Sequence, residues 1–244
     1  MFWNFKNVDE ESTELRIEGE IVSDDDIWLY DFFGINATSP NAFKEELAQN
    51  KGKNITVWID SYGGDVFAAA GIYNALKLHD GAVTVKIDGK ALSAASVIAM
   101  AGTKIEMSPV SMMMIHNPLT MAQGDHRELK KVADILEEVK QTIINAYEIK
   151  TKKSRSKISQ MMDDETWMSA KTAQKEGFAD GMMFTEATVN NVYSGQVITN
   201  SMREFFENHE LNTHRGATEP VVDIKLTEQK QKFNKIKEKL GGNN

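Results

Sequence analysis

The chain has 244 residues, of which 41% are hydrophobic, and its formal net charge is −8. This length and composition suit one domain of good size, or one domain with an appendage. The lack of cysteine excludes disulfides, thiolate metal sites and a cysteine nucleophile. The acidic balance, with no basic block in the body of the chain, argues against nucleic acid as a partner.

Neither a membrane span nor a metal site is indicated. No run approaches the ~20 apolar residues that a membrane span needs, and the apolar start over 1–6 is too short for a signal peptide. We therefore expect no membrane partner and a cytoplasmic protein. The five histidines show no metal-ligand spacing, so no metal is expected.

Strand and helix signals alternate through the first third of the chain. Alternating apolar residues predict a strand over 15–22, and the aromatic-rich segment 24–33 predicts a helix with an acidic N-terminus. Ser39, followed by proline, predicts the start of another helix. A buried strand is predicted over 55–59, followed by an alanine-rich helix over 66–78.

The middle of the chain continues this alternation. Short strands are predicted over 84–87, 104–107 and 112–115, with a small-residue helix after the first of them. This order indicates a mainly parallel sheet built from βαβ units. Apolar residues three and four apart over 125–150 predict a long amphipathic helix, long enough to project from the body. A final strand is predicted over 178–184.

The core pattern fades after residue 184. Segment 185–225 is weakly patterned, whereas 227–240 is basic and carries apolar residues at helical spacing. We interpret 185–244 as an appendage whose last helix packs on a partner. A solvated helix that packs on nothing is an equal alternative.

A serine stands at the mouth of the small-residue helix. Ser93 follows a strand and precedes Ala94, and backbone N–H groups at such a helix start bind an oxyanion. Gly64, the second of two glycines after a strand, is predicted to supply one N–H donor and Ala94 the other. Ser96 is a competing nucleophile, although we expect it to lie inside the helix and bond its own backbone.

A histidine and an acidic cluster complete the candidate site. His116 closes the strand over 112–115, and a histidine there can take the proton of Ser93. A carboxylate must then hold the histidine tautomer, and candidates cluster at Asp163-Asp164-Glu165. Each feature also has a plain structural explanation: a helix cap, a tight turn, a structural histidine and a solvated acidic turn.

In this order the motifs resemble those of the Clp protease proteolytic subunit family over 15–185. The family's Ser-Pro-Gly-Gly is similar to Ser61-Tyr62-Gly63-Gly64. Its Gly-x-Ala-x-Ser-Met is similar to Gly89-Lys90-Ala91-Leu92-Ser93-Ala94, which assigns the nucleophile to Ser93. Its Ile-His-Gln-Pro is similar to Ile115-His116-Asn117-Pro118.

The same resemblance covers the long helix and the acidic cluster. Segment 125–150 resembles the family's handle helix. The family's aspartate, three residues before Leu-Ser-Ala, falls on Glu165 here, since Met168-Ser169-Ala170 is the matching motif. The resemblance thus implies Glu165 as the third triad member, with Asp164 as its rival.

The resemblance implies a fold and an activity. The fold is a crotonase-like α/β spiral with a projecting handle helix, over a catalytic domain (15–184). We expect an N-terminal arm (1–14) and a C-terminal extension (185–244) on either side of it, which the resemblance does not cover. The activity is that of a serine endopeptidase, which forms an acyl-enzyme without a cofactor. Members assemble into homo-oligomeric rings that act on protein or peptide substrates, and cellular members work with a ring ATPase.

Several departures from the family pattern refine this expectation. Tyr62 stands in place of proline, Ala94 in place of methionine and Glu165 in place of aspartate, and a long segment follows residue 184. These features resemble the Clp-related proteases of phages and prophages, which trim scaffold and capsid proteins during head maturation. The alternatives are a cellular ATP-dependent Clp-type peptidase subunit, a catalytically silent assembly or tethering subunit and, last, a crotonase-type enzyme acting on CoA thioesters.

Overall fold

The computed structural model of the protein describes residues 6–7 and 12–184. The chain divides into two compact units, Met1–Asn190 and Asn191–Asn244, and all described residues belong to the first. Most of the predicted N-terminal arm therefore lies outside the described residues. So does the whole predicted C-terminal extension, with its basic segment 227–240.

Nine strands and seven helices alternate along the part of the chain that the structure describes. The strands are β1 (Lys6–Asn7), β2 (Ser12–Ile21), β3 (Ala37–Thr38), β4 (Asn54–Gly64), β5 (Val83–Leu92), β6 (Lys104–Met107), β7 (Met112–Ile115), β8 (Thr166–Ser169) and β9 (Gly181–Met182). The helices are α1 (Ile27–Phe33), α2 (Pro40–Ala48), α3 (Val66–Lys77), α4 (Ala94–Ala99), α5 (His126–Thr151), α6 (Arg155–Asp163) and α7 (Ala170–Lys175).

The strands form one mostly parallel sheet, which confirms the predicted α/β class. Its main path runs β1-β2-β4-β5-β6-β9, while β3 pairs with β2, and β7 pairs with β5 and β8. Only the pairs β1–β2 and β7–β8 are antiparallel among the described strands. Along most of β2, β4 and β5, buried side chains alternate with more exposed ones, as expected for strands of a packed sheet.

Strand β5 has two different neighbours along its length. Its first half, Thr84 to Ile87, pairs with β6, and its last three residues, Lys90 to Leu92, pair with β7. Gly89 lies between the two halves, where a Cβ atom would collide with the carboxylate of Asp60. Because β5 changes partner, β7 lies beside the end of β5. The segments that follow these two strands therefore lie close together.

Helices α3 and α4 are in contact, and several of their buried residues are small. Ala68 and Ala69 of α3 are buried, and all six residues of α4 are buried. Helix α2 begins at Pro40, after Ser39, and buries Phe43 and Leu47 as its spacing predicts. The core thus lies between the sheet and these helices.

The long amphipathic helix is confirmed as α5. It begins with a capping box in which Asp125 accepts the backbone N–H of Glu128 and the Glu128 side chain accepts the N–H of Asp125. No α5 residue before Val139 is buried, whereas six residues from Val139 onwards are. The second half of the helix is therefore anchored in the body, and the first half has the exposure of a projecting handle.

The sequence predictions of elements were wrong or incomplete in places: β5 is longer than the predicted strand 84–87, β8 was not predicted, and the final strand and helix α6 also differ. The final strand is only β9, because the N–H groups of Phe178 and Ala179 donate to Ala173 O and so close the end of α7. Helix α6 was not predicted, since it is mostly polar and buries only Ile158, Met161 and Met162. Those three positions nevertheless have helical spacing, and Ser154 caps the helix.

Candidate active site

Ser93 occupies a strained turn between β5 and α4. Its backbone angles are φ 53° and ψ −125°, which few residues other than glycine adopt. The Ser93 N–H donates to Met114 O at 2.9 Å, so β7 holds the turn in place. A serine on a sharp strand-to-helix turn is the arrangement of a nucleophile elbow.

His116 lies beside this serine. His116 Nε2 and Ser93 Oγ are 2.6 Å apart, a short hydrogen bond. The sheet register explains the distance, because Leu92 of β5 pairs with Met114 of β7 and each strand ends within two residues of that pair. The structure thus brings together two residues that the sequence predicted as a pair.

The two glycines at the end of β4 press against the serine turn. A Cβ atom on Gly63 would lie 2.6 Å from Leu92 O, 2.9 Å from Ala94 N and 2.9 Å from Ser93 Cβ. Gly63 and Gly64 have φ values of 95° and 143°, both in the region that favours glycine. Ser61 supports this end, since its Oγ donates to Gly19 O at 2.6 Å and accepts from Gly63 N at 3.0 Å.

The predicted oxyanion donors open onto the groove that contains the Ser–His pair. Gly64 and Ala94 line it together with Ser93 and His116. Ala94 is the first residue of α4, and the N–H groups of a helix's first turn have no partner within the helix. The arrangement can therefore offer a backbone N–H group to a negatively charged oxygen beside Ser93.

The three carboxylates of the acidic cluster, Asp163, Asp164 and Glu165, have different surroundings. Glu165 lies near enough to His116 to raise its pKa, but burial of the imidazole has the larger effect and lowers that pKa overall. Glu165 Oε1 accepts from Trp167 Nε1 at 3.1 Å. No hydrogen bond joins His116 to Glu165, Asp164 or Asp163 among the described residues. The third triad position therefore stays a prediction.

Asp163 belongs to a separate network that the sequence did not reveal. It accepts from Lys140 Nζ at 2.5 Å and from Asn117 Nδ2 at 2.9 Å. These two hydrogen bonds hold the pKa of Asp163 below its usual range. Because Asn117 follows His116, the network ties the histidine loop to α5. The available signal was a lysine at position 140 on the apolar face of a long helix.

Ser96 lies inside α4, as predicted. Its Oγ donates to Ser93 O at 2.6 Å, and the hydroxyl of Tyr147 lies 2.8 Å from the same Oγ. Ser96 is fully buried, so a substrate has no access to it. Tyr147 was recognised in the sequence only as a residue on the apolar face of the long helix.

An apolar groove of about 510 Å³ passes over the Ser–His pair. Its wall is formed by side chains of α5 and of the segment after His116, including Leu119, Val132, Ile135, Leu136, Val139 and Ile143. Tyr62 stands at its edge with Lys90 Nζ 4.1 Å above its ring, and Lys90 pairs with Asp60 at 2.6 Å. The groove can accept apolar groups next to Ser93.

Neither a metal cluster nor a membrane-spanning helix occurs in the part of the chain that the structure describes. Among those residues, no group of three or more histidine, aspartate or glutamate side chains has the arrangement of a metal site. No helix in the same part combines the length and apolar character needed to cross a bilayer.

Comparison with known proteins gives one family. Residues 42–186 match the family model described as Clp protease. A protein of Bacteroides fragilis described as "ATP-dependent Clp protease proteolytic subunit" is 32% identical over 134 residues, which is 54% of this chain and 65% of that protein. A Ligilactobacillus salivarius protein with the same description is 32% identical over 155 residues, covering 61% of this chain and 79% of that protein.

The matches also differ in the share of each relative's length that they cover. "ATP-dependent Clp protease proteolytic subunit 1" of Chlamydia abortus is 31% identical over 140 residues, and 73% of that protein is covered. For the Bacteroides and Porphyromonas relatives the match spans only 60 to 65% of their length.

Proposed function

The chain belongs to the Clp protease family, and from this premise we propose that it is a serine endopeptidase that hydrolyses peptide bonds through an acyl-enzyme. The observation that carries the proposal is the 2.6 Å contact between His116 Nε2 and Ser93 Oγ at a strained turn beside an apolar groove. A nucleophile and a base within hydrogen-bond reach are the minimum that acyl transfer requires.

Each candidate residue has a defined role in this proposal. Ser93 Oγ attacks the scissile carbonyl carbon while His116 Nε2 takes the serine proton and then gives it to the leaving amine. The N–H groups of Gly64 and Ala94 bind the developing oxyanion. Water, activated by the same histidine, then hydrolyses the acyl-enzyme and releases the second product. Glu165 stabilises the imidazolium, which fits its effect on the His116 pKa.

Replacement of the serine tests this proposal directly. The protein should hydrolyse a fluorogenic peptide amide with an apolar residue before the scissile bond, and Ser93→Ala should reduce kcat at least ~10³-fold while preserving the fold. Ser111→Ala is the control, because it removes a buried hydroxyl outside the groove. Equal activity of wild type and Ser93→Ala would refute the proposal.

We further propose that the biological role is head maturation in a phage or prophage. Support comes from Tyr62, Ala94 and Glu165, where the sequence departs from the family motifs, and from the segment after residue 186, where the family match ends. In this role the protein forms a homo-oligomeric ring, and its partners are scaffold and capsid proteins that it trims without a metal or organic cofactor.

The second candidate role is a cellular peptidase subunit that works with a ring ATPase. The names of the relatives favour it, since they are described as ATP-dependent Clp protease proteolytic subunits. Digestion of a folded protein substrate, with and without ATP and a ring ATPase, distinguishes the two roles. A head-maturation protease should cut scaffold protein without ATP, whereas an ATPase-dependent subunit should degrade folded protein only with its ring ATPase and ATP.

A further inference from the structure

A buried pair of hydroxyl groups joins the long helix to the nucleophile turn. Tyr147 of α5 and Ser96 of α4 are both almost completely buried, and their oxygens are 2.8 Å apart. Ser96 Oγ also lies 2.6 Å from the carbonyl oxygen of Ser93. The Tyr147 side chain borders the groove, but both residues are buried, and the proposed mechanism gives neither hydroxyl a direct chemical part.

The direction of these hydrogen bonds follows from the number of protons. A serine hydroxyl has one proton, and a carbonyl oxygen can only accept. Ser96 therefore donates to Ser93 O, and Tyr147 must donate to Ser96 Oγ. Burial raises the pKa of Tyr147 well above its ordinary value, so this donor keeps its proton at any working pH. The chain of donors runs Tyr147 to Ser96 to Ser93.

The last acceptor in this chain belongs to the same peptide group as one N–H donor of the proposed oxyanion hole. The Ser93 carbonyl and the Ala94 N–H belong to one planar peptide unit, and they point in opposite directions because the bond is trans. The Ser93 carbonyl accepts two hydrogen bonds, from Ser96 Oγ at 2.6 Å and from Ser96 N at 2.9 Å. Holding this oxygen therefore also holds the Ala94 N–H.

We propose that Tyr147 and Ser96 are positioning residues, which orient the Ala94 N–H toward the oxyanion through the Ser93 carbonyl. This inference rests on the proposed peptidase function. The unusual backbone angles of Ser93 make such support necessary, because an unrestrained residue leaves that conformation readily. Hydrogen bonds accepted by the carbonyl also polarise the amide and strengthen its N–H as a donor.

The test separates a positioning role from a purely structural one. In the full-length protein, kcat and KM are measured with a fluorogenic peptide amide, and active sites are counted with a fluorophosphonate. Ser96→Ala should lower kcat about tenfold and leave KM within about twofold, as expected when part of an oxyanion-hole interaction is lost. Tyr147→Phe should lower kcat about threefold and add little to Ser96→Ala, because it acts through Ser96.

Ser111→Ala is a matched control. Ser111 is buried, and its N–H and Oγ both bond Ser108 O at 2.9 Å, the same local pattern three residues apart but outside the groove. It should lower the melting temperature without changing kcat per active site. If Ser96→Ala and Tyr147→Phe behave like this control, the positioning role is refuted.

Three further outcomes have a clear meaning. If Ser96→Ala does not fold, Tyr147→Phe alone decides, since it removes only one oxygen atom. A wild-type protein without Ser93-dependent turnover would refute the proposed function, and the positioning role with it. Normal wild-type turnover with unchanged kcat in both variants would refute the positioning role alone.

Discussion

Replacing Gly63 by alanine should disturb the turn that carries Ser93, although Gly63 itself lies at the end of β4. The new Cβ atom would lie 2.6 Å from Leu92 O and 2.9 Å from both Ala94 N and Ser93 Cβ. Two of these three neighbours are backbone atoms, which cannot move aside as the end of a long side chain can. Either β4 or the serine turn must therefore shift by several tenths of an ångström.

The expected loss in the free energy of unfolding has two parts, backbone strain and overpacking, which a control variant separates. A residue with a Cβ in the left-handed region costs ~1–2 kcal/mol, and Gly63 has φ 95°. Overpacking adds ~1–3 kcal/mol. Gly52→Ala is the matched control, because Gly52 has φ 79° but a Cβ added there would have no atom within 4 Å. Gly63→Ala should thus lower the free energy of unfolding by ~2–5 kcal/mol, and Gly52→Ala by only ~1–2 kcal/mol.

Urea unfolding and peptide hydrolysis measure the two consequences. We expect Gly63→Ala to lose about 10²-fold in kcat per titrated active site, since a small displacement of a nucleophile is costly. Gly52→Ala should retain its kcat. The reasoning is refuted if both variants lose the same stability, or if Gly63→Ala keeps full kcat, because the close approach of β4 would then have no effect on Ser93.

Two further predictions concern the charged groups around the site. Neutral His116 is the base, so kcat/KM should rise with pH through its pKa, which burial holds below the ordinary value of 6.5. Because Glu165 raises that pKa, Glu165→Gln should lower kcat and move the acid limb of the pH profile to lower pH; a move to higher pH would contradict this account. Asp163→Ala should destabilise the protein more than Lys140→Met by ~1 kcal/mol, because it leaves the buried ammonium without its partner, although the exposure of Asp163 reduces the effect. The Asp163 contribution should be present above pH ~4 and fade as the pH falls through its lowered pKa, and equal urea midpoints for the two variants would argue against it.

The sequence predicted the elements that carry the site better than it predicted the contacts between them. Ser93 and His116 follow strands of one parallel sheet, and the ends of such strands lie near one another. Their 2.6 Å separation, however, depends on β5 changing partner from β6 to β7 halfway along. No local pattern shows that change, because it arises from tertiary pairing.

The contacts of the supporting residues could not be predicted for a similar reason. Tyr147 and Lys140 lie seven residues apart on the buried face of α5, so spacing alone places them together on that face. Which neighbour each one meets depends on how α5 crosses α4 and the loop after His116. The side-chain direction of Glu165 was equally unpredictable, since it depends on the position of Trp167 Nε1.

The most direct test of the central claim is intact mass after treatment with a fluorophosphonate, followed by peptide mapping. An activated serine beside its base predicts one adduct per chain, on Ser93, and no adduct in His116→Ala. An adduct on Ser96, or none in the folded full-length protein, would contradict the account.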